Sequence, residues 1–176
     1  MYRTGIGFDI HRLQASRRLV LGGVEIPFEK GLLGHSDADV LTHAVCDAIL
    51  GAAGLGDIGI HFPDTDPRYC GIDSLVLLRR TVEMAEARGY AVVNIDVSVL
   101  AEAPKLKPYR ERMQETLAGA CGVNPDAINI KATTMETLGE IGRGEAIAAM
   151  AVALIRRVAA SADARKDSEW CREDDR

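Results

Sequence analysis

Three stretches of helical periodicity, each stopped by glycine, are interleaved along this chain with runs whose apolar residues alternate, so any fold for it must bring helices and strands together. The helices are predicted over Asp37–Ala53, capped by Asp37 or Asp39 and stopped by Gly54 and Gly56; over Asp73–Arg88, capped by Asp73 or Ser74 and ended by Gly89; and over Pro108–Ala120, ended by Gly122. Val93, Ile95, Val97 and Val99 alternate as a strand with one buried face, and Ala127–Thr134 predicts another. Residues 2–30 read as extended, with the Gly22-Gly23 pair set between two short apolar strands as the turn of a hairpin. Gly31 and Gly34 belong to the loop that follows, and Gly56–Tyr69, rich in Gly, Asp and Pro, predicts an irregular loop. A Gly-rich stretch, Leu138–Gly144, leads into Glu145–Arg157, which is rich in Ala. Propensity makes that last segment a helix, tertiary context can make it a strand, and both readings stay open.

At 176 residues with 47% hydrophobic side chains, the chain suits one compact domain over residues 1–158. Residues 159–176 offer almost nothing to bury and predict a disordered tail. The formal charge of -5, without Lys or Arg runs interleaved with aromatics, argues against nucleic acid as a partner. Neither a leader-like amino terminus nor eighteen consecutive apolar residues are present, so no membrane partner and a cytoplasmic location are expected. Cys46, Cys70, Cys121 and Cys171 form no Cys-x-x-Cys pair, which argues against a thiolate zinc site or a disulfide framework.

All four histidines fall within the first 61 positions, each near an aspartate: Asp9 and His11, His35 and Asp37, His43 and Asp47, His61 and Asp64. Imidazole and carboxylate are the ligands that a divalent transition metal prefers. Asp9 and His11, two apart in a predicted strand, emerge on one face, and His43 from the following helix could complete a three-ligand set with a fourth position open for water or substrate. The plainer reading has Asp9 capping a turn and His43 bonded to Asp47 in the core; the three residues together favour the metal. His35 and Ser36 sit in a glycine-bearing loop before a helix, where backbone N–H groups and the helix dipole attract an anion, although Ser36 could equally be a cap. Lys131, Thr133, Thr134 and Glu136 gather an ammonium, two hydroxyls and a carboxylate at a strand end, suited to phosphate oxygens and Mg²⁺ or else to a capping box from Thr133 to Glu136.

Seven segments in order, Gly7-Phe-Asp-Ile-His11, Gly34-His-Ser-Asp37, Gly56-Asp-Ile-Gly59, Phe62-Pro-Asp-Thr-Asp66, Ala103-Pro-Lys105, Lys131-Ala-Thr-Thr134 and Gly142-Arg-Gly-Glu145, closely resemble the 2-C-methyl-D-erythritol 2,4-cyclodiphosphate synthase family. The resemblance covers about residues 1–158. It implies an α/β (α+β) single domain with a four-stranded mixed sheet backed by helices on one face, assembled as a homotrimer with active sites between subunits, and it makes the Ala-rich segment a strand. It also implies a metal-dependent phosphorus-oxygen lyase that cyclises 4-diphosphocytidyl-2-C-methyl-D-erythritol 2-phosphate and releases CMP.

By the same resemblance, Asp9, His11 and His43 would bind one Zn²⁺ per subunit, Glu136 would hold Mg²⁺ or Mn²⁺ with the substrate diphosphate, and Asp9 and His11 would also meet the substrate. His35 and Ser36 would hold phosphate. Asp57 and Gly59 would meet the ribose or the erythritol unit, and Phe62, Pro63, Asp64, Thr65 and Asp66 would line the methylerythritol pocket. Ala101, Ala103, Pro104, Lys105, Leu106 and Lys107 would wrap the cytosine from the adjacent subunit, while Thr133, Thr134 and Glu136 bind the diphosphate. His35 and Thr134 would support the transition state. Glu140 stands where the family commonly has an aromatic residue; with Arg143 this stretch would line a cavity on the trimer axis, where acidic groups would weaken binding of an isoprenoid diphosphate. Alternatively Glu140 faces solvent or pairs with Arg143. The same ligand set would also serve a metal-dependent phosphohydrolase or a silent metal-binding module.

Overall fold

The computed structural model describes residues 1–158; the tail predicted over 159–176 lies outside the described residues. The chain opens with the long strand β1 (Tyr2–Ala15), then the hairpin β2 (Leu19–Leu21) and β3 (Val24–Ile26), and the short β4 (Lys30–Leu32). Helix α1 (Val40–Ala53), a helical turn α2 (Ile58–His61), helix α3 (Ser74–Ala87), strand β5 (Tyr90–Leu100), helix α4 (Arg110–Cys121), strand β6 (Ile128–Thr133), a helical turn α5 (Gly139–Gly142) and strand β7 (Ala146–Arg157) follow. The main sheet runs β4-β1-β7-β5-β6, antiparallel except for the parallel pair β5–β6. It therefore has five strands where four were expected, because three-residue β4 pairs with Leu13–Ala15 at the far end of β1.

Helix α1 packs on β1 and β7, α3 on β5 and α4 on β6, so one face of the sheet carries the core. The approach of α1 is close. A Cβ built on Gly5 would stand 2.0 Å from the Ala48 carbonyl oxygen, and one on Gly7 2.0 Å from that of Ala44, so β1 needs glycine at both places. Across from them β7 presents Ala149, Ala151 and Ala153, all fully buried. Small side chains are what a central strand under a tightly seated helix requires, and this is why the Ala-rich segment is a strand despite its helical propensity.

The predicted helices stand within a few residues of their expected ends. Asp39 rather than Asp37 caps α1, accepting the Thr42 N–H, and Gly54 ends it in the left-handed region. The Asp39 carboxylate is fully buried and also accepts the N–H groups of Gly22 and Gly23 at 3.0 and 2.7 Å, which ties the hairpin turn to the start of α1. Burial pushes its pKa up, against the pull of the Thr42 and Gly23 donors. In β5 a bulge between Val92 and Asn94 switches the alternation: Val92, Ile95, Val97 and Val99 are buried while Val93 is not. The loop predicted over Gly56–Tyr69 holds α2 and a single 3-10 turn at Pro67–Tyr69, each begun by an aspartate cap, Asp57 and Asp66.

Among the described residues, no helix covers the other sheet face. Ile6, Phe8, Ile10, Met150 and Val152 emerge there, between 42% and 66% exposed, with Phe8 opposite Met150 and Ile6 opposite Val152 across the β1–β7 pair. Cys46 and Cys121 are buried free thiols and Cys70 is exposed and free. Among the described residues, no helix is long and apolar enough to cross a membrane.

Candidate metal and substrate site

The odd-numbered side of β1 faces the helices, so Asp9 and His11 project together toward the first turn of α1, where His43 meets them. Asp9 Oδ2 lies 2.9 Å from His11 Nε2 and 3.1 Å from His43 Nδ1, and the two imidazole nitrogens are 3.2 Å apart. These separations match the edge of about 3.3 Å expected for a tetrahedron with metal–ligand bonds of about 2.0 Å. The outward atoms are occupied elsewhere: Asp9 Oδ1 accepts the Ile10 N–H, and His11 Nδ1 lies 2.9 Å from the Leu33 carbonyl oxygen, which can only accept a proton. His11 thereby turns the lone pair of Nε2 inward. Burial pushes the Asp9 carboxyl up, but the bonds to His11 and His43 outweigh it and hold Asp9 well below the usual carboxylate range. His11 is displaced upward: burial alone would lower it, and Asp9 overrides that. Two imidazoles and a carboxylate converging in this way fit a divalent cation.

A cleft of about 490 Å³ opens beside the three. His35, Ser36, Gly59, Phe62, Pro63 and Asp64 line it with them, joined by Leu33, Gly34, Asp47, Ile58, Tyr69 and Leu77. Asp47 does not bond His43; it accepts the Ile58 N–H at 2.7 Å and so anchors α2 to α1. Burial pushes its carboxyl up, with Asp57 and Asp9 adding to the effect. Asp57 is turned to capping α2 through the Ile60 N–H, and Asp66 is paired with Arg68 while its carbonyl meets His35 Nε2 at 3.3 Å; neither they nor Thr65 line the cleft. His61, the fourth histidine, bonds the Leu55 carbonyl and is structural.

Two further predicted segments meet in a second place. The Ala101 N–H bonds the Thr133 carbonyl, and Glu102 accepts the N–H groups of Met135 and Thr137 at 2.8 and 3.3 Å, joining the segment 101–107 to the segment 133–137. Thr134 Oγ1 donates to Glu136 at 2.6 Å; no helix begins there, so the capping-box alternative is not what forms. Lys131 is paired with Asp96 and lines a pocket with Leu106 and Lys107. Arg143 pairs with Glu145 at 2.8 Å and with Glu140 at 3.3 Å, the plainer of the two readings of Glu140. None of 101–107, 133–136 or Arg143 lines the cleft that holds the triad.

A family profile described as the YgbB family matches residues 2–156. The chain belongs to that family. A 2-C-methyl-D-erythritol 2,4-cyclodiphosphate synthase of Desulfosudis oleivorans is 62% identical over 153 residues, 87% of this chain and 91% of that protein. Among solved structures, the bifunctional IspDF from Campylobacter jejuni superposes with a TM-score of 0.86 at 43% identity, over 89% of this chain and 42% of that longer one. A CDP-bound 2C-methyl-D-erythritol-2,4-cyclodiphosphate synthase superposes with a TM-score of 0.81 at 40% identity, over 88% of this chain and all of that one.

Proposed function

We infer that this YgbB-family chain is a cyclodiphosphate synthase of the non-mevalonate isoprenoid pathway, converting 4-diphosphocytidyl-2-C-methyl-D-erythritol 2-phosphate into 2-C-methyl-D-erythritol 2,4-cyclodiphosphate and CMP. The observation that carries it is the Asp9, His11 and His43 triad beside a cleft lined by the phosphate-loop residues His35 and Ser36, in a chain 62% identical to a synthase of that name. An oxygen of the 2-phosphate attacks the β-phosphorus; a P–O bond forms, the bond from that phosphorus to the bridging oxygen breaks, and its electron pair leaves with CMP. A phosphate monoester, with a second pKa of about 6, is largely a dianion at neutral pH, so no strong base is required. The barrier lies in folding a highly charged, flexible molecule until two phosphates meet in line, which is a task of positioning and charge neutralisation.

Asp9, His11 and His43 hold one Zn²⁺, and Glu136 holds Mg²⁺ or Mn²⁺ with the diphosphate; these cations supply positive charge to phosphate oxygens. His35 and Ser36 bind phosphate on the triad side, where Asp57 and Gly59 meet sugar or polyol and Phe62–Asp66 enclose the methylerythritol. Ala101–Lys107 take the cytosine, Thr133 and Thr134 the diphosphate, and His35 and Thr134 support the transition state from the protein side. Because these two groups stand apart within one chain, a complete site needs a second copy. The helix-free sheet face, with Ile6, Phe8, Met150 and Val152 exposed, is the kind of surface that a symmetric assembly covers, and a homotrimer with sites between subunits satisfies both observations.

Phosphorus NMR of the products with Zn²⁺ and Mg²⁺ present, on the protein and on a His43→Ala variant, tests this reading. Cyclic diphosphate and CMP are expected, and are lost in the variant. Linear hydrolysis products would replace the cyclase with a metal-dependent phosphohydrolase, and no turnover by metal-loaded protein would leave a silent binding module.

A further inference from the structure

The triad has a second layer that the reaction above does not use. His43 Nε2, the nitrogen turned away from Asp9 and His11, lies 2.9 Å from Ser74 Oγ and 3.1 Å from Ser36 Oγ. Ser74 is fully buried at the first position of α3, and its hydroxyl contacts Asp37 Oδ1. The Asp37 carboxylate also accepts the Ser74 N–H at 3.1 Å and the Asp39 N–H at 3.2 Å. The protons of this group can be counted. Both backbone partners of Asp37 are donors, so the carboxylate is an acceptor, and the single hydroxyl proton of Ser74 goes to it. Ser74 Oγ is left as an acceptor toward His43, which must then carry its proton on Nε2. The lone pair of His43 falls on Nδ1, the atom facing Asp9 Oδ2 and His11 Nε2. Ser36 Oγ accepts the Ala38 N–H at 3.0 Å and lies 3.5 Å from Ser74 Oγ, so its own proton can turn to Ser74 or into the cleft.

We propose that Ser74 and Asp37 are positioning residues of the metal site: a carboxylate–hydroxyl–imidazole chain, with Ser74 fully buried between a half-buried Asp37 and His43, that fixes the proton of His43 on Nε2 and aims Nδ1 at the cation. The inference rests on Asp9, His11 and His43 being a metal site. It binds three parts of the sequence, the loop before α1, α1 itself and the start of α3, into one device. His11 is fixed in the same sense by the Leu33 carbonyl, so both imidazoles are oriented from outside by acceptors. Outer partners of this kind typically contribute 10–100-fold in metal affinity. Asp73, not Ser74, supplies the side-chain cap of α3, so deleting the Ser74 hydroxyl leaves the helix start intact.

The test is zinc affinity by chelator competition on wild-type protein, Ser74→Ala and Asp37→Asn, with thermal unfolding of the metal-free forms and proton NMR of the zinc-loaded forms. Wild type is expected to bind one zinc per chain and to show a slowly exchanging imidazole N–H signal from His43. Ser74→Ala is expected to bind zinc about 10–100-fold more weakly and to lose that signal, with the unfolding of the metal-free form little changed. Asp37→Asn keeps the shape and removes the charge; a smaller loss of affinity in the same direction is expected, and it carries the test alone if Ser74→Ala does not fold. Wild-type affinity and an unchanged N–H signal in both variants would overturn the proposal. Absence of stoichiometric zinc from the wild type would overturn the metal site itself, and this inference with it.

Discussion

Gly7 shows how one missing methyl group places a metal ligand. Its Cα hydrogen faces the Ala44 carbonyl of α1, one residue past His43, and Asp9 lies two residues further along the same face of β1. Gly7→Ala forces backbone against backbone, so α1 must retreat and take His43 with it. The expected outcome is destabilisation of about 1–3 kcal/mol or more, read by urea unfolding, together with weaker zinc binding; unchanged values on both would show that the helix can shift without opening the triad. At this scale the sequence was readable where chemistry followed local geometry. Residues two apart on a strand share a face, so Asp9 and His11 could be paired from spacing alone. Ser74 could not be found that way, because its partner Asp37 lies 37 residues earlier and a serine at a helix start reads as a cap.

Elements settle how the segments 101–107 and 133–137 are held together. Glu136 and Thr137 both adopt left-handed backbone angles, with φ of 50° and 65°, a conformation costing of order 1–3 kcal/mol at a non-glycine residue. Glu102 spans this bend, accepting an N–H on each side of Glu136, so the loop beyond β5 clamps the loop beyond β6. Glu102→Ala is expected to raise the Mg²⁺ concentration needed for half-maximal turnover several-fold without lowering zinc content, while Glu102→Gln, which keeps an acceptor oxygen, stays near wild type. Activity measured against Mg²⁺ at fixed zinc distinguishes them; equal curves for all three would remove Glu102 from the site. Element boundaries were legible where caps and glycines marked them, as at Asp39, Gly54 and Gly122. Strand β7 was not, because alanine favours a helix in isolation and only the closeness of α1 makes a row of alanines the right content for a central strand. Strand β4 escaped for the opposite reason: three residues carry too little pattern, and only the reach of β1 gives them a partner.

For the whole molecule, the decisive contrast is between the two faces of one sheet. The covered face carries the core and the triad; the other presents Phe8 opposite Met150, with no element among the described residues to shield them. Under the proposed trimer, changing both to Glu should leave the fold and the triad in place while separating the subunits, so sedimentation is expected to show smaller species that bind zinc but do not form the cyclic product. An assembly of unchanged size and activity would place the contact surface elsewhere. No assembly is legible in periodicity, since alternation names a buried face without saying what buries it. The separation of the triad from the Glu136 loop then has a genetic meaning. Under the shared-site proposal, a His43→Ala allele and a Glu136→Ala allele, each inactive by itself, would complement when expressed together, because mixed assemblies rebuild intact sites at some of their junctions. Two lesions carried on the same polypeptide would not.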